Sequence, residues 1–450
     1  MPLRNPKFVT VAVLAAAFAA MTAPARAAET ATPNDTARFL AGLPPAADSA
    51  LAPLAKDPLW QQHARYFDSI FAREESASLS RIRAFSRERL TDKQATMLYM
   101  FSGPDFLYAT SFFPGASTYV LSGLEPVGDV PQLTGLPRPA IDATLRNLET
   151  SLGSLLSFSF FITRNMKTQL HEGPVYGTLP ILYVFLARTG KTIHEASFVS
   201  LDNEGNFQGA DESVAADGKT GKAARRAAPS AAPGVKIVFS DGNGPRQTLY
   251  YFSTNLADGS VERSGFLAFC AKLGAADSFL KSASYLLHTG GFTKVRAFLL
   301  DHNATILQDD SGIPLAYFDP KKWRLQPFGR YVGPLALFGR PYQEGMGELF
   351  RNAIPIDFGI GYRWRKNESN LLLAQKIAAA TSDNELAPHL PTDRYLARTE
   401  PRPPKKKKAA VGSAQQSRRK HAKSEPSESF GCRIAGVFPF CSTPPPNPGQ

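Results

Sequence analysis

The chain has 450 residues, 43% of them hydrophobic and 20% charged, which is ordinary globular make-up with room for a sizeable core and excludes a wholly disordered or fibrous protein. The formal net charge of +12 is concentrated at the two ends. Arg4, Lys7 and Arg26 lie in the first 27 residues, and from Arg398 onward eleven Lys or Arg face only Glu400, Glu425 and Glu428, so the stretch between is close to neutral. A folded nucleic-acid module would carry its cations as a patch on the fold, so the charge distribution argues against one.

Residues 1–27 have the three zones of a secretory signal peptide. Arg4 and Lys7 are a basic start, Phe8 to Met21 is apolar and uncharged, and Ala25-Arg26-Ala27 is a small-residue cleavage pattern ahead of Ala28. The apolar run is shorter than the ~20 residues of a spanning helix. The expectation is a periplasmic or secreted protein with no transmembrane helix after cleavage. Residues 28–56 read as an extended lead-in and 57–390 as a single globular domain.

Asp57-Pro58 opens a helix, with Asp as cap and Pro at the first helical position. Trp60, Ala64, Phe67 and Phe71 then recur at helical spacing, and a second helix is predicted over 79–90. Strands are predicted at 96–102 and 117–121, and a helical region at 141–170. Two further strands follow at 179–187 and 193–201. Residues 206–234 are rich in Gly, Ala, Asp, Lys and Pro and nearly devoid of large apolar residues after Phe207, which predicts a disordered insertion. Strands at 235–240 and 248–253, joined by Asp241-Gly242-Asn243-Gly244, predict an antiparallel hairpin. Helices are expected at 265–273, 277–288 and 295–300, and a strand at 304–308. Ile356, Phe358, Ile360, Tyr362 and Trp364 alternate with polar residues or Gly, the cleanest period-two pattern in the chain. The fold class is α/β (or α+β), with a mixed, partly antiparallel sheet, flanking helices and a helical N-terminal part. Residues 391–450 form a basic, Pro-rich disordered tail.

Several strand-like runs end in a turn bearing a carboxylate: Asp105, Glu125, and the pair Asp309-Asp310. In open α/β sheets ligands gather at the carboxyl ends of strands, so these four are the candidate catalytic residues, in acid–base roles or as ligands of Ca²⁺ or Mg²⁺. The alternative is ordinary turn chemistry. On the predicted helix 277–288, Lys281, Tyr285 and His288 share one face and are candidates for binding an anion, set against the plain solvated side of an amphipathic helix. Ser278 and Lys281 have the S-x-x-K spacing of penicillin-recognising serine enzymes, but the counterparts Ser253-Thr254-Asn255 and Lys219-Thr220-Gly221 run in the wrong order. Gly190-Lys191-Thr192 lacks the rest of a phosphate-binding loop. No zinc-type Cys/His spacing occurs, and no cofactor is evident. Cys432 and Cys441 bracket a short loop that an oxidising compartment would allow to close as a disulfide, whereas Cys270 reads as a buried thiol.

Two functions fit these residues. One is an exported, envelope-associated binding protein whose tail attaches electrostatically to an anionic surface. The other is an exported hydrolase or metal-dependent enzyme using the strand-end carboxylates. Sequence alone does not choose between enzyme and binder.

Overall fold

The computed structural model describes residues 31–158, 176–208, 232–333, 345–363 and 365–377. The predicted signal peptide, most of the insertion 206–234, the tail, Trp364 and both Cys432 and Cys441 lie outside the described residues. The α/β class holds. Nine strands form one mixed sheet in the order β3-β4-β5-β2-β1-β6-β7-β9-β8. They are β1 (Thr96–Tyr99), β2 (Thr118–Gly123), β3 (Lys191–Leu201), β4 (Ala232–Asp241), β5 (Arg246–Ser253), β6 (Ala276–Leu280), β7 (Asn303–Gln308), β8 (Trp323–Gly329) and β9 (Asn370–Lys376).

The central five strands are parallel, with β1 paired to β2 and β6, β2 to β5, and β6 to β7. Antiparallel partners extend the sheet on both sides: β3 and β4 beyond β5, β9 and β8 beyond β7. Strands of such a sheet are buried on both faces and read as continuous apolar runs. Met97 and Tyr99 of β1 enter one core cluster while Leu98 and Met100 enter the other.

Helices α1 (Pro33–Leu40), α2 (Pro58–Glu74), α3 (Ser80–Arg89), α4 (Phe106–Phe112), α5 (Arg138–Phe158) and α6 (Leu179–Arg188) contribute to the first cluster. The shorter α7 (Asp258–Val261) and α8 (Phe266–Lys272), with α9 (Thr293–His302), contribute to the second. A one-turn α10 (Met346–Leu349) precedes β9. The Asp57 cap accepts the Leu59 N–H at 2.9 Å, as its position before Pro58 predicts. A π-helical turn, Glu75–Leu79, joins α2 to α3 without a break. No helix among the described residues is long and apolar enough to cross a membrane.

Four expectations are corrected. The lead-in 28–56 contains α1, whose Phe39 and Leu40 are fully buried. Residues 179–187 are helical: the apolar run is α6, buried along nearly its whole length, where hydrophobicity alone does not separate helix from strand. Residues 277–288 are not a helix but β6 followed by the 3-10 segment Ser282–His288. The alternating run, described as far as Arg363, is not a regular strand: it makes only isolated bridges and turns at Gly361-Tyr362 between Ile360 and Arg363, with Phe358 packed on Phe85 at 5.7 Å. The strands in that part of the chain are β8 and β9.

Candidate functional site

Within the parallel set, strand order in space is third, second, first, fourth, fifth by position in the chain. The winding reverses between β1 and β6. Helix α4, after β1, packs in the first core cluster, and α9, between β6 and β7, in the second. The two connections diverge, and a doubly wound sheet opens a ligand crevice at that switch point.

The switch point holds a buried ion pair. Lys281, the first residue after β6, places Nζ 2.9 Å from Asp105 Oδ2, and each side chain is only 2% exposed. Asp105 caps α4: its Oδ1 accepts the Tyr108 N–H at 3.2 Å, and Oδ2 accepts the Tyr99 hydroxyl at 2.9 Å. The Lys281 ammonium also lies 4.1 Å from the centre of the Tyr108 ring, a cation–π contact. The Tyr108 hydroxyl donates in turn to Glu74 Oε1 at 2.8 Å. Burial raises the Glu74 carboxyl, and burial followed by the charge of Asp105 raises the Tyr99 phenol well above its ordinary range.

Asp309 and Asp310 join from the end of β7. Asp309 Oδ2 accepts the Ser282 N–H at 3.3 Å, and Oδ1 accepts both the N–H of Ser311, at 2.9 Å, and its hydroxyl. Burial, and then the neighbouring charge of Asp310, push Asp309 up to about 7. Asp310 is also raised by burial, against the pull of Arg363, whose Nε lies 3.5 Å from Oδ2. Its backbone N–H donates to Asn370 Oδ1 at 2.9 Å. The segment 354–363 thus acts as a strap, bringing Gly361 against Asp309 and Arg363 against Asp310.

Two non-glycine residues among the described ones have positive φ: Phe101 at 63° and Ser282 at 57°. Each lies two residues beyond the end of a strand, β1 and β6, on either side of the switch point. Strained backbone of this kind costs of order 1–3 kcal/mol and clusters at functional sites. The Ser282 hydroxyl is buried with no hydrogen-bond partner among the described residues.

Sequence reasoning therefore located the carboxylates but not their connection. Asp105 pairs with Lys281, and the N–H of the next residue, Ser282, bonds Asp309 beside Asp310, all of them buried. Glu125 lies one strand over. A Cβ added at Gly123 would sit 2.4 Å from Glu125 Oε2 and 2.9 Å from Gly103 Cα, so this carboxylate lies beside the turn after β1. The shared helical face of Lys281, Tyr285 and His288 does not exist, because Lys281 is extended just after β6 and lies outside the 3-10 segment that holds the other two. His288 is buried, its Nε2–H donating to Gly312 O at 2.7 Å, and burial holds it down to about 4. Tyr285 is raised by burial.

The S-x-x-K spacing also fails. It needs a helix to align its residues, and here Ser278 lies within β6, bonded to Asn303 Oδ1 at 3.0 Å. Cys270 is buried, as expected, and burial pushes its thiol up. No group of three or more His, Cys, Asp or Glu among the described residues is arranged to hold a metal ion. Ser282, Tyr99 and Arg363 were missed. Only a correct end for β6 would have singled out Ser282.

No family model, curated protein or solved structure matches this chain.

Proposed function

We propose that this is an exported binding protein that takes a polyhydroxylated small molecule, a nucleoside or a sugar, at the switch-point crevice. The observation that carries the reading is the place of Glu125. In doubly wound sheets an acid at the end of the second strand, some 20 residues beyond the glycine turn after the first, accepts hydrogen bonds from vicinal ribose hydroxyls. Here Glu125 lies buried two residues beyond the second parallel strand, beside Gly103, whose φ of 57° lets the backbone turn tightly. This is analogy with a fold geometry, supported by the strain at Phe101 and Ser282 across the same crevice. The carboxylate of Asp105 occupies the start of α4 and disfavours a ligand phosphate there.

The reading is tested by thermal melting of the native chain with nucleosides and with monosaccharides. One of the two classes at millimolar concentration should raise the midpoint, as a ligand that binds only the folded state must. Glu125→Gln, which keeps shape and loses the anionic acceptor, should weaken that ligand about tenfold. If neither class shifts the midpoint, the reading fails.

A second reading, an exported hydrolase, is favoured by the strained Ser282 beside Asp309. A carboxyl pushed up to about 7 is matched to proton transfer at neutral pH. Labelling of Ser282 by a fluorophosphonate, abolished in Ser282→Ala, would support it.

A further inference from the structure

A cavity lies on the helical face of the sheet, away from the carboxyl edge. It is a half-open cleft of about 560 Å³ between α2, the π-turn, α3, α4, the end of α6 and the corner where β3 meets β4. Its volume falls within the usual range for small-molecule sites. The π-turn places Glu75 and Leu79 in the wall, and such local departures from α geometry recur at functional sites.

Three ion pairs form the polar wall: Arg188 with Asp68 at 2.6 Å, Lys191 with Asp241 at 2.7 Å, and Arg83 with Glu75. In the first two the partners are unequally placed. The side chains of Arg188 and Lys191 are 8% and 5% exposed, whereas those of Asp68 and Asp241 are 63% and 70% exposed. The deep cation is fixed independently of its counter-ion. Arg188 Nε donates to Ala41 O at 2.6 Å, and the guanidinium lies 5.2 Å from the Phe71 ring centre. Desolvation is already met at these cations, while the carboxylates that neutralise them are surface groups that return to water readily. Phe71, Leu79, Leu107 and Pro114 give the same cavity an apolar lining.

We propose that this cavity binds an organic carboxylate with an apolar body. The ligand carboxylate replaces Asp68 or Asp241 on Arg188 or Lys191, and its body covers the apolar lining. A carboxylate is the anion favoured by the geometry, because each of the three cations is already held by one, and the planar guanidinium fork suits it. The chemistry is shared by a free fatty acid and by the C-terminus of an apolar peptide.

Calorimetric titration of the full chain tests the proposal with octanoate and with N-acetyl-leucyl-leucine, against octanol, octylammonium and the peptide amide. At least one of the two carboxylates should bind and the three controls should not, and which one binds identifies the source. Lys191→Met or Arg188→Gln should weaken that probe about tenfold. Asp68→Asn should strengthen it about two- to fivefold by removing the competing counter-ion, a gain that a merely structural ion pair would not produce. Circular dichroism checks that each variant is folded. The proposal is overturned if neither carboxylate binds the native chain at millimolar concentration. It is equally overturned if octanol binds as well as octanoate, or if binding is unchanged in both cation variants.

Discussion

Asp309 is the residue whose protonation most directly reports the state of the site. Its carboxyl is pushed up to about 7, whereas in the unfolded chain it titrates as an ordinary Asp near 3.8. An acid raised on folding stabilises the fold fully below its unfolded pKa, and that stability is lost as pH rises through the folded value. Asp277, pushed up to about 6 by burial, and Glu74 act in the same sense. His288 acts in the opposite sense: held down to about 4, it contributes stability above pH 6.5 that disappears as pH falls through 4. Urea denaturation at fixed pH should therefore show Asp309→Asn losing about 2–4 kcal/mol less than the native chain between pH 4 and pH 7. Parallel profiles would mean that Asp309 ionises normally in the fold. Asp309 was visible in the sequence as a turn residue, whereas Glu74 and Asp277 were not. The shifts of all three were hidden, because the burial and the partners that cause them come from residues distant in the chain.

At the scale of the element, the turn after β6 decides the site. Ser282 holds φ at 57° while its N–H bonds Asp309 and its hydroxyl finds no partner among the described residues. Glycine adopts this conformation without strain, so Ser282→Gly should raise stability by about 1 kcal/mol while weakening ligand binding at the crevice. Equal stability of the two proteins would show that the turn is relaxed. Gly361 is the converse case. Its φ is 56°, and a Cβ there would meet Asp309 Oδ2 at 2.1 Å, so Gly361→Ala should destabilise by roughly 2 kcal/mol or more. A neutral substitution would mean that the strap does not press on Asp309. The misreading of 277–288 belongs to this scale too. Asp277 and Ser278 open the predicted helix, yet both sit buried in β6. The Asp277 carboxylate accepts the Gln94 N–H at 2.7 Å, and Ser278 is bonded to Asn303. Partners so far along the chain leave no mark in local periodicity.

For the whole molecule, the proposed export and the basic tail make one joint expectation. Protein purified from its native host should begin at Ala28, and removal of residues 398–450 should abolish binding to vesicles containing anionic lipid, since each cation near such a surface contributes about 1 kcal/mol. Intact Met1 on cytosolic protein would remove the export proposal, and unchanged vesicle binding would remove the tail's role.

Local chemistry in the sequence determined the capped helix at Asp57-Pro58, the β4–β5 hairpin, β1, β2 and β7, and the three turns that carry acids. Each depends on neighbours within a few positions, which the chain itself displays. Only the tertiary structure decided that the parallel strands wind outward from β1 in two directions. That winding sets Lys281 against Asp105 across the switch point, and the strap 354–363 sets Arg363 against Asp310. Strand order is a long-range choice, settled by which buried faces and polar partners can be satisfied together, and no local pattern of residues encodes it.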